Sequence, residues 1–319
     1  MVIKINEDLV ERLSRNISIN EIIEFSENLL QSAYENKIKV TDKKVVPPKN
    51  GKPYHFHLEL ETVDDKGVKI RKVIDERKPD GINIKKDTLI ALINPDKEYA
   101  IFGDFITDIR TGVAGALAAK YLTESPSVIA IVGAGKVSKQ FALAANYLFR
   151  PKEIRFATRS EKSRIEFYEF LKDNTNAEIQ AYDIFNFDHR KRLLKDADIL
   201  FEAAPLYKDR EDVRFKLKEI MLMKSGAHIS SMTGDGNQHN FYEDVLLKSI
   251  IVVDDERSAR KNSELRHLAE NEGNVAGNLF DAAVGKLDRY KNHLTFYDSS
   301  GNAPMDRLVE LVVKEYNKD

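Results

Sequence analysis

One short segment constrains the fold more than any other part of the chain. The apolar run Val128–Val132 leads directly into the turn Gly133–Gly135, and a helical pattern begins at once. In such a strand–turn–helix segment the first glycine permits a tight turn, and the second lets the backbone approach a pyrophosphate at the helix N-terminus. We therefore predict a dinucleotide-binding turn. The alternative is a glycine turn that serves only the fold.

The chain beyond this turn alternates between apolar runs and helical stretches. Strands joined by helices form parallel βαβ units, so we predict a doubly wound parallel sheet of the Rossmann type. The segment 258–285 is predicted to leave the sheet as helices. The predicted strands are Val128–Val132, Ile154–Ala157, Glu178–Tyr182, Ile199–Ala204, Ala227–Ser231 and Ile250–Val253.

The first hundred residues have a different pattern, with helical spacing from Ile19 to Asn36 and then alternating segments separated by turn-prone residues. This pattern predicts an antiparallel sheet with a packed helix, that is, an α+β domain. A last helix, Met305–Tyr316, is expected to return to it. The expected domains are therefore 1–121 with 292–319, and 122–291. The predicted strands of the first domain are Tyr54–Thr62, Val68–Ile74, Thr88–Asn94 and Tyr99–Phe102.

Composition excludes several classes of protein. The 319 residues carry a formal net charge of −2, which gives no electrostatic reason to expect a nucleic-acid or membrane partner. The chain has no cysteine, so disulfides and thiolate chemistry are excluded. No apolar run approaches the roughly 20 residues that span a bilayer. Acidic residues near the start stand where a signal peptide would need an apolar core, so we expect a cytoplasmic protein.

The end of the second strand indicates the type of dinucleotide. An Asp or Glu there would bind the ribose 2′-hydroxyl of NAD, but this chain has Thr158, Arg159 and Ser160, with Arg164 shortly after. We expect NADP(H), with the Arg159 guanidinium pairing with the 2′-phosphate. NAD(H) remains possible, because these cations could simply form the solvated face of the next helix.

Two further segments are candidates for the chemistry. Thr107 is predicted to cap a helix, and Arg110 then lies one turn inside it, where a guanidinium suits a carboxylate ligand. An arginine neutralised by Asp104 or Asp108 is the alternative. Asp235 follows the fifth strand between two glycines, at the end of the sheet where ligands sit, and could transfer a proton. The alternative is an ordinary turn aspartate.

The histidines His55 and His57 lie two residues apart on a predicted strand and share one face. No acidic residue accompanies them at ligand spacing in the sequence, which makes a poor metal site. We expect no metal.

Several of these motifs occur together in a known family. The segments 102–111 (Phe-Gly-Asp-Phe-Ile-Thr-Asp-Ile-Arg-Thr), 118–122 (Ala-Ala-Lys-Tyr-Leu) and 132–135 (Val-Gly-Ala-Gly) resemble the ornithine cyclodeaminase/mu-crystallin family. The resemblance implies a Rossmann domain for the cofactor and a second domain that binds substrate and forms a homodimer. Members include cyclodeaminases, an archaeal type of alanine dehydrogenase, ketimine reductases and mu-crystallin.

The resemblance also implies roles for particular residues. Arg110 matches the arginine that holds the substrate carboxylate, Lys69 the active-site lysine, and Asp235 the acid/base aspartate. Lys43 stands where the family has a second arginine, and lysine lacks its bidentate grip. The segment 295–301 (Thr-Phe-Tyr-Asp-Ser-Ser-Gly) stands where most members have Phe-Lys-Ser-x-Gly. The expected cofactor-binding residues are Thr107, Gly133, Ala134, Gly135, Lys136, Val137, Thr158, Arg159, Ser160 and Arg164.

These observations favour an NADP(H)-dependent reductase or dehydrogenase that acts on a small amino acid or cyclic imino acid. Two alternatives stay open. One is a cyclodeaminase that uses bound NAD to release ammonia from ornithine or lysine. The other is a dinucleotide-dependent ligand-binding protein without turnover, although a proton-transferring Asp235 would have little use there.

Overall fold

The structure is a computed structural model that describes residues 2–40, 44–46, 55–77, 85–204, 213–232, 239–269 and 272–318. The chain forms two units. The first comprises Met1–Arg110 and Ala303–Asp319, and the second comprises Thr111–Asn302. Within the described residues, no helix has both the length and the apolar character needed to cross a membrane.

The first unit is built on one seven-stranded sheet with the order β1-β7-β6-β5-β4-β2, in which β3 also pairs with β4. Strand β1 runs parallel to β7, and the other pairs are antiparallel. The predicted antiparallel core, β4 to β7, is confirmed, whereas β1, β2 and β3 were not predicted. The strands are β1 (Val2–Ile5), β2 (Ile38–Val40), β3 (Lys44–Val46), β4 (His55–Asp64), β5 (Lys69–Arg77), β6 (Lys85–Ile93) and β7 (Glu98–Phe102).

The helices α1 (Glu7–Ser14) and α2 (Ile19–Tyr34) belong to the same unit, and α3 (Asp104–Leu122) begins in it. Helix α2 starts with a capping box, in which the Ser18 hydroxyl accepts from the Glu21 N–H and the Glu21 carboxylate accepts from the Ser18 N–H. One face of α2 is buried. The sequence therefore determines both the start of this helix and the face that packs.

The C-terminal segment returns to the first unit, as predicted. A 3-10 turn at Pro304–Leu308 leads into helix α11 (Val309–Tyr316). The buried Arg307 guanidinium donates to the Asp64 carboxylate at 2.6 Å and to the Val68 carbonyl at 3.1 Å. Both acceptors flank the turn between β4 and β5. Arg307 therefore links the C-terminal segment to that hairpin by hydrogen bonds.

The second unit contains an eight-stranded, wholly parallel sheet with the order β10-β9-β8-β11-β12-β15-β13-β14. The chain order reverses at β8, which has β9 on one side and β11 on the other. This reversal confirms the doubly wound sheet and places a crevice at the carboxyl ends of those strands. The strands are β8 (Val128–Val132), β9 (Glu153–Thr158), β10 (Glu178–Asp183), β11 (Ile199–Glu202), β12 (His228–Ser231), β13 (Ile250–Val253), β14 (Asn274–Asn278) and β15 (Thr295–Asp298).

Two strands of this sheet were not predicted. Strand β14 is polar and forms an edge, and it replaces part of the all-helical segment expected over 258–285. Strand β15 pairs with both β12 and β13, which places residues 292–302 in the second unit rather than the first. Their sequences lack the long apolar run on which the strand predictions relied.

Helices cover this parallel sheet. They are α4 (Lys136–Phe149), α5 (Glu161–Asn174), α6 (Phe187–Leu194), α7 (Leu217–Ile220), α8 (Glu243–Lys248), α9 (Glu256–Asn262) and α10 (Leu279–Ala283). The later part of α3 lies against the start of α4, because a Cβ on Gly112 would come within 2.5 Å of the Phe141 backbone nitrogen. Phe141 also stacks on Phe201 of β11, with ring centroids 3.9 Å apart. Helix α4 is thereby held on the sheet.

Candidate functional site

The turn after β8 has the backbone geometry that the sequence predicted. Gly133 has φ +100°, a left-handed conformation that favours glycine, and a Cβ there would lie 3.1 Å from the Ala203 carbonyl oxygen. Its N–H donates to the Ala157 carbonyl at 3.0 Å. The turn is therefore fixed against the ends of the two neighbouring strands.

Gly135 ends the turn and occupies the N-cap position of α4, with φ −75°. Among the described residues, no atom lies within 4 Å of the position that a Cβ would take, and no side chain caps the helix. The helix N-terminus thus lacks a side-chain cap beside a residue without a side chain, which fits a phosphate group. Lys136 is exposed next to them, and Ser138 is fully buried at the third small position of the motif.

The predicted 2′-phosphate site at the end of β9 is partly occupied by structural contacts. Thr158 is buried and its hydroxyl donates to the Ser160 carbonyl, while Ser160 itself caps α5 by accepting from the Ser163 N–H at 3.2 Å. Arg164 donates to the Thr158 carbonyl at 3.4 Å and lies 4.0 Å from the carboxylate of Asp183. Arg159 is exposed. Of this group, Arg159 is the best placed to meet a ligand from solvent.

The predicted cap at Thr107 is wrong. Helix α3 begins at Asp104, so Thr107 lies inside its first turn. The Thr107 hydroxyl donates to the Gly103 carbonyl at 2.8 Å and the side chain is buried. A threonine can satisfy its hydroxyl by bonding back to the carbonyl four residues earlier, and the sequence does not distinguish this from capping.

A buried cluster of three charged residues forms the strongest candidate for a substrate site in the first unit. The Lys72 ammonium on β5 donates to Asp306 Oδ1 at 2.9 Å, and Arg110 Nε lies 3.2 Å from the same oxygen. The side chains of Lys72 and Asp306 are only 2% and 3% exposed. The contact of Arg110 with Asp306 through Nε leaves its two terminal nitrogens outside this pair. Those nitrogens are the ones that bind a carboxylate in bidentate fashion.

The same cluster changes the proton affinity of its lysine. Burial, together with the smaller effect of the Arg110 charge, lowers the pKa of Lys72 to about 8 against the opposing effect of the Asp306 charge. The Asp306 Oδ2 atom is buried without a hydrogen-bond partner among the described residues. The cluster thus combines a free acceptor with a lysine that can hold or release a proton near neutral pH.

The structure separates Lys69 from this cluster. Lys69 and Arg71 are exposed on one face of β5, whereas Ile70 and Lys72 are buried on the other. Sequence reasoning missed Lys72, although its alternation with the apolar Ile70 was a usable signal. Lys43 and Asp235 lie outside the described residues, so their assignments stay predictions.

Two buried acids, Asp254 and Asp298, lie at the carboxyl ends of β13 and β15. Asp298 accepts from the Ser263 hydroxyl at 2.6 Å and from two backbone N–H groups. Burial raises the pKa of Asp298 to about 6. Asp254 accepts four hydrogen bonds, among them one from Asn302. These contacts secure β13 and β15 to the loops beyond them.

The imidazole of His228 is buried within the parallel sheet and contacts neighbouring strand residues. It is fully buried, with Nδ1 2.9 Å from the Thr295 hydroxyl and Nε2 2.8 Å from the Ser230 hydroxyl. Burial lowers the pKa of His228 to about 3, so this imidazole is neutral at physiological pH.

The two histidines of β4 do have an acidic partner, contrary to the sequence analysis. Asp75 on β5 lies opposite His57, and its Oδ1 is 2.7 Å from His55 Nε2. The pairing of two strands brings this carboxylate to a position that spacing along the sequence does not reveal.

Comparison with known proteins places these features in a family. The family model described as ornithine cyclodeaminase/mu-crystallin matches residues 7–319. The chain belongs to this family. A curated relative, alanine dehydrogenase of Archaeoglobus fulgidus, is 25% identical over 221 residues, which cover 66% of this chain and 63% of the relative. The alignment therefore spans less than two thirds of that relative's length.

Solved structures of the family share the fold. The Δ1-pyrroline-2-carboxylate reductase of Thermococcus litoralis, in complex with NADH and L-proline, superposes with a TM-score of 0.82 at 21% identity and covers 99% of this chain and 98% of its own. An archaeal alanine dehydrogenase dimer with bound NAD gives 0.81 at 19% identity, covering 99% and 96%. At these identities the likeness establishes the fold alone.

The lowered pKa of Lys72 predicts a pH dependence of stability. Between about pH 8 and 10.5 the folded protein releases a proton that the unfolded chain retains, so folding becomes more favourable as the pH rises through this window. Urea unfolding at several pH values should show the wild type gaining stability relative to Lys72→Met. The exposed Lys69→Met variant is the control. It retains Lys72, so its stability should rise with pH in parallel with that of the wild type. A constant difference between wild type and Lys72→Met would contradict the burial argument.

Proposed function

We propose that this protein is an NADP(H)-dependent reductase or dehydrogenase that acts on a small amino acid or cyclic imino acid. The observation that carries the proposal is the strand–turn–helix at Gly133–Gly135, where the described residues provide no side-chain cap for α4 and leave the Cβ position of Gly135 open. Membership of the ornithine cyclodeaminase/mu-crystallin family supports the same class of chemistry. A homodimer is part of the proposal, since the archaeal alanine dehydrogenase of this fold is described as a dimer.

The second unit would hold the dinucleotide. Gly133, Ala134 and Gly135, with the N-terminus of α4, would receive the pyrophosphate, and Lys136 would add a cation. Arg159 would pair with the 2′-phosphate, since it is exposed at the end of β9 and no acid stands there. When bound, the nicotinamide supplies or accepts the hydride of the reaction.

The charged cluster of the first unit would hold the substrate. The terminal nitrogens of Arg110 would bind the substrate carboxylate, with Lys43 as a second cation. Lys72, rather than Lys69, would exchange a proton with the substrate nitrogen, because its pKa of about 8 suits acid–base work near neutral pH. Asp306 would orient Lys72, and its free Oδ2 could accept a hydrogen bond from an amine or iminium N–H. Asp235 remains the acid/base residue that the resemblance implies.

A steady-state assay tests the reaction class. With five- and six-membered cyclic imino acids we expect NADPH absorbance at 340 nm to fall as the ring C=N bond is reduced. Ornithine and lysine should release no ammonia. Ammonia release without a change in cofactor absorbance would identify a cyclodeaminase instead. Binding of the imino acid without either signal would favour a ligand-binding protein.

Cofactor choice can be tested by titrating NADPH and NADH into two variants. We expect wild type to bind NADPH more tightly than NADH. Arg159→Gln should weaken NADPH binding roughly 10- to 100-fold, the range expected for one charged hydrogen-bonded contact, with NADH unaffected. Gly135→Ala should weaken both, because the new methyl group would enter the space proposed for the shared pyrophosphate.

Lys162→Gln is the control for Arg159→Gln. Lys162 is 85% exposed and lies 3.8 Å from Glu166 on the same helix, so its loss should leave both affinities unchanged. Equal or tighter binding of NADH by wild type would overturn the NADP assignment, while still leaving a nicotinamide enzyme.

The choice between the two lysines is also testable. Lys72→Met should lower kcat by about 10²- to 10⁴-fold, the usual contribution of a positioned acid or base, and should remove the limb of the pH profile near pH 8. Lys69→Met should retain the wild-type kcat and pH profile. The reverse result would restore Lys69 as the active-site lysine, and Lys72 would then be structural.

A further inference from the structure

The antiparallel pairing of β4 and β5 places two imidazoles and a carboxylate together on the first unit. His55 and His57 share one face of β4, and Asp75 on β5 is the register partner of His57. One possible ligand atom from each of the three side chains lies within 4.8 Å of the others. This cluster is on neither the dinucleotide turn nor the Lys72–Asp306–Arg110 cluster.

The carboxylates near these histidines each lie close to an imidazole and to a cation. Asp75 Oδ1 lies 2.7 Å from His55 Nε2 and accepts from Arg77 Nε at 3.3 Å, while Asp75 Oδ2 accepts from a terminal nitrogen of Arg77 at 2.8 Å. Glu59 repeats the pattern, with Oε1 3.1 Å from His57 Nε2 and Oε2 3.8 Å from Lys44. Hydrogen bonds to the outer oxygen of a ligating carboxylate are typical of metal sites, because they fix its orientation.

The cluster is also open to solvent. The side chains of His57 and Asp75 are 21% and 25% exposed, and His55 is 49% exposed. An ion could therefore enter from solvent without any rearrangement of the backbone.

We propose that His55, His57 and Asp75 bind a divalent transition-metal ion of the zinc class, with Glu59 or water completing the coordination. Two imidazole nitrogens and a carboxylate oxygen are ligands that Zn²⁺ accepts, whereas Mg²⁺ and Ca²⁺ prefer oxygen alone. Zinc–ligand bonds of about 2.0 Å set neighbouring ligand atoms about 3.3 Å apart in a tetrahedron. Side-chain rotations would have to widen the 2.7 Å contact between His55 and Asp75 and draw in the more distant ligand atoms, which lie within 4.8 Å of one another.

The ion would link β4 to β5, because its ligands come from both strands. Strand β5 also carries Lys72, three residues before Asp75 and on the opposite face. A ligand that binds only the folded protein stabilises it by RT ln(1 + [L]/Kd), so the ion should raise the midpoint of thermal unfolding. It has no part in the proposed hydride transfer, and the enzyme should turn over without it.

The experiment uses untagged protein stripped with a chelator and then dialysed. Titration with Co²⁺ should give one equivalent of a visible absorption band typical of tetrahedral cobalt, which Zn²⁺ abolishes and Mg²⁺ does not. Zn²⁺ should also raise the melting temperature. The absence of a stoichiometric band and of a thermal shift would overturn the proposal.

Matched variants locate the ion. His57→Gln and Asp75→Asn should each lose the cobalt band and the thermal shift, while His293→Gln, which changes an exposed histidine elsewhere, should keep both. Circular dichroism without metal checks that each variant is folded. A band of wild-type intensity in folded His57→Gln or Asp75→Asn would place the ion elsewhere and refute the assignment.

Discussion

The burial of a lysine ammonium within the first unit determines how the two ends of that unit meet. An unpaired ammonium in this position would cost several kcal/mol. Asp306, from the C-terminal segment, supplies the compensating charge at 2.9 Å, and Arg307 beside it reaches the turn between β4 and β5. The last residues of the chain must therefore return to the sheet. Buried ion pairs rarely stabilise a fold more than apolar packing would, so stability alone does not explain this pair, and the role proposed for it in binding and proton transfer does.

In the second unit the order of the parallel strands determines where the proposed ligand site lies. The reversal at β8 opens a crevice at the carboxyl ends of β8 and β11, and the glycine turn begins at that edge. Gly133 can bend there only because no Cβ meets Ala203, and α3 holds the start of α4 through the close approach at Gly112. The geometry proposed to bind phosphate is thus fixed by packing within the unit before any ligand arrives.

Local pattern predicted the regular part of this structure. Strands with alternating or continuous apolar residues, β4 to β13, were found from the sequence with errors of a few residues. The missed strands are short or polar, and their pairing partners are distant in sequence: Val2 lies beside Glu98, and Thr295 beside His228. The partnership of Asp75 with His55 was hidden for the same reason. Register between strands is a property of the folded sheet that no single segment contains.

The choice of a lysine for the proposed substrate site illustrates the same limit. The family resemblance selected Lys69, but side chains on a strand alternate between faces, so a residue three positions away points to the other side. Lys69 and Lys72 therefore cannot both belong to one cluster. The two lysines differ in burial: Lys69 is exposed, whereas Lys72 shares its face with the buried Ile70 and has an acidic partner. The proposed role of Lys72 rests on this difference, and the assignment of Lys69 stays a prediction that the two variants test.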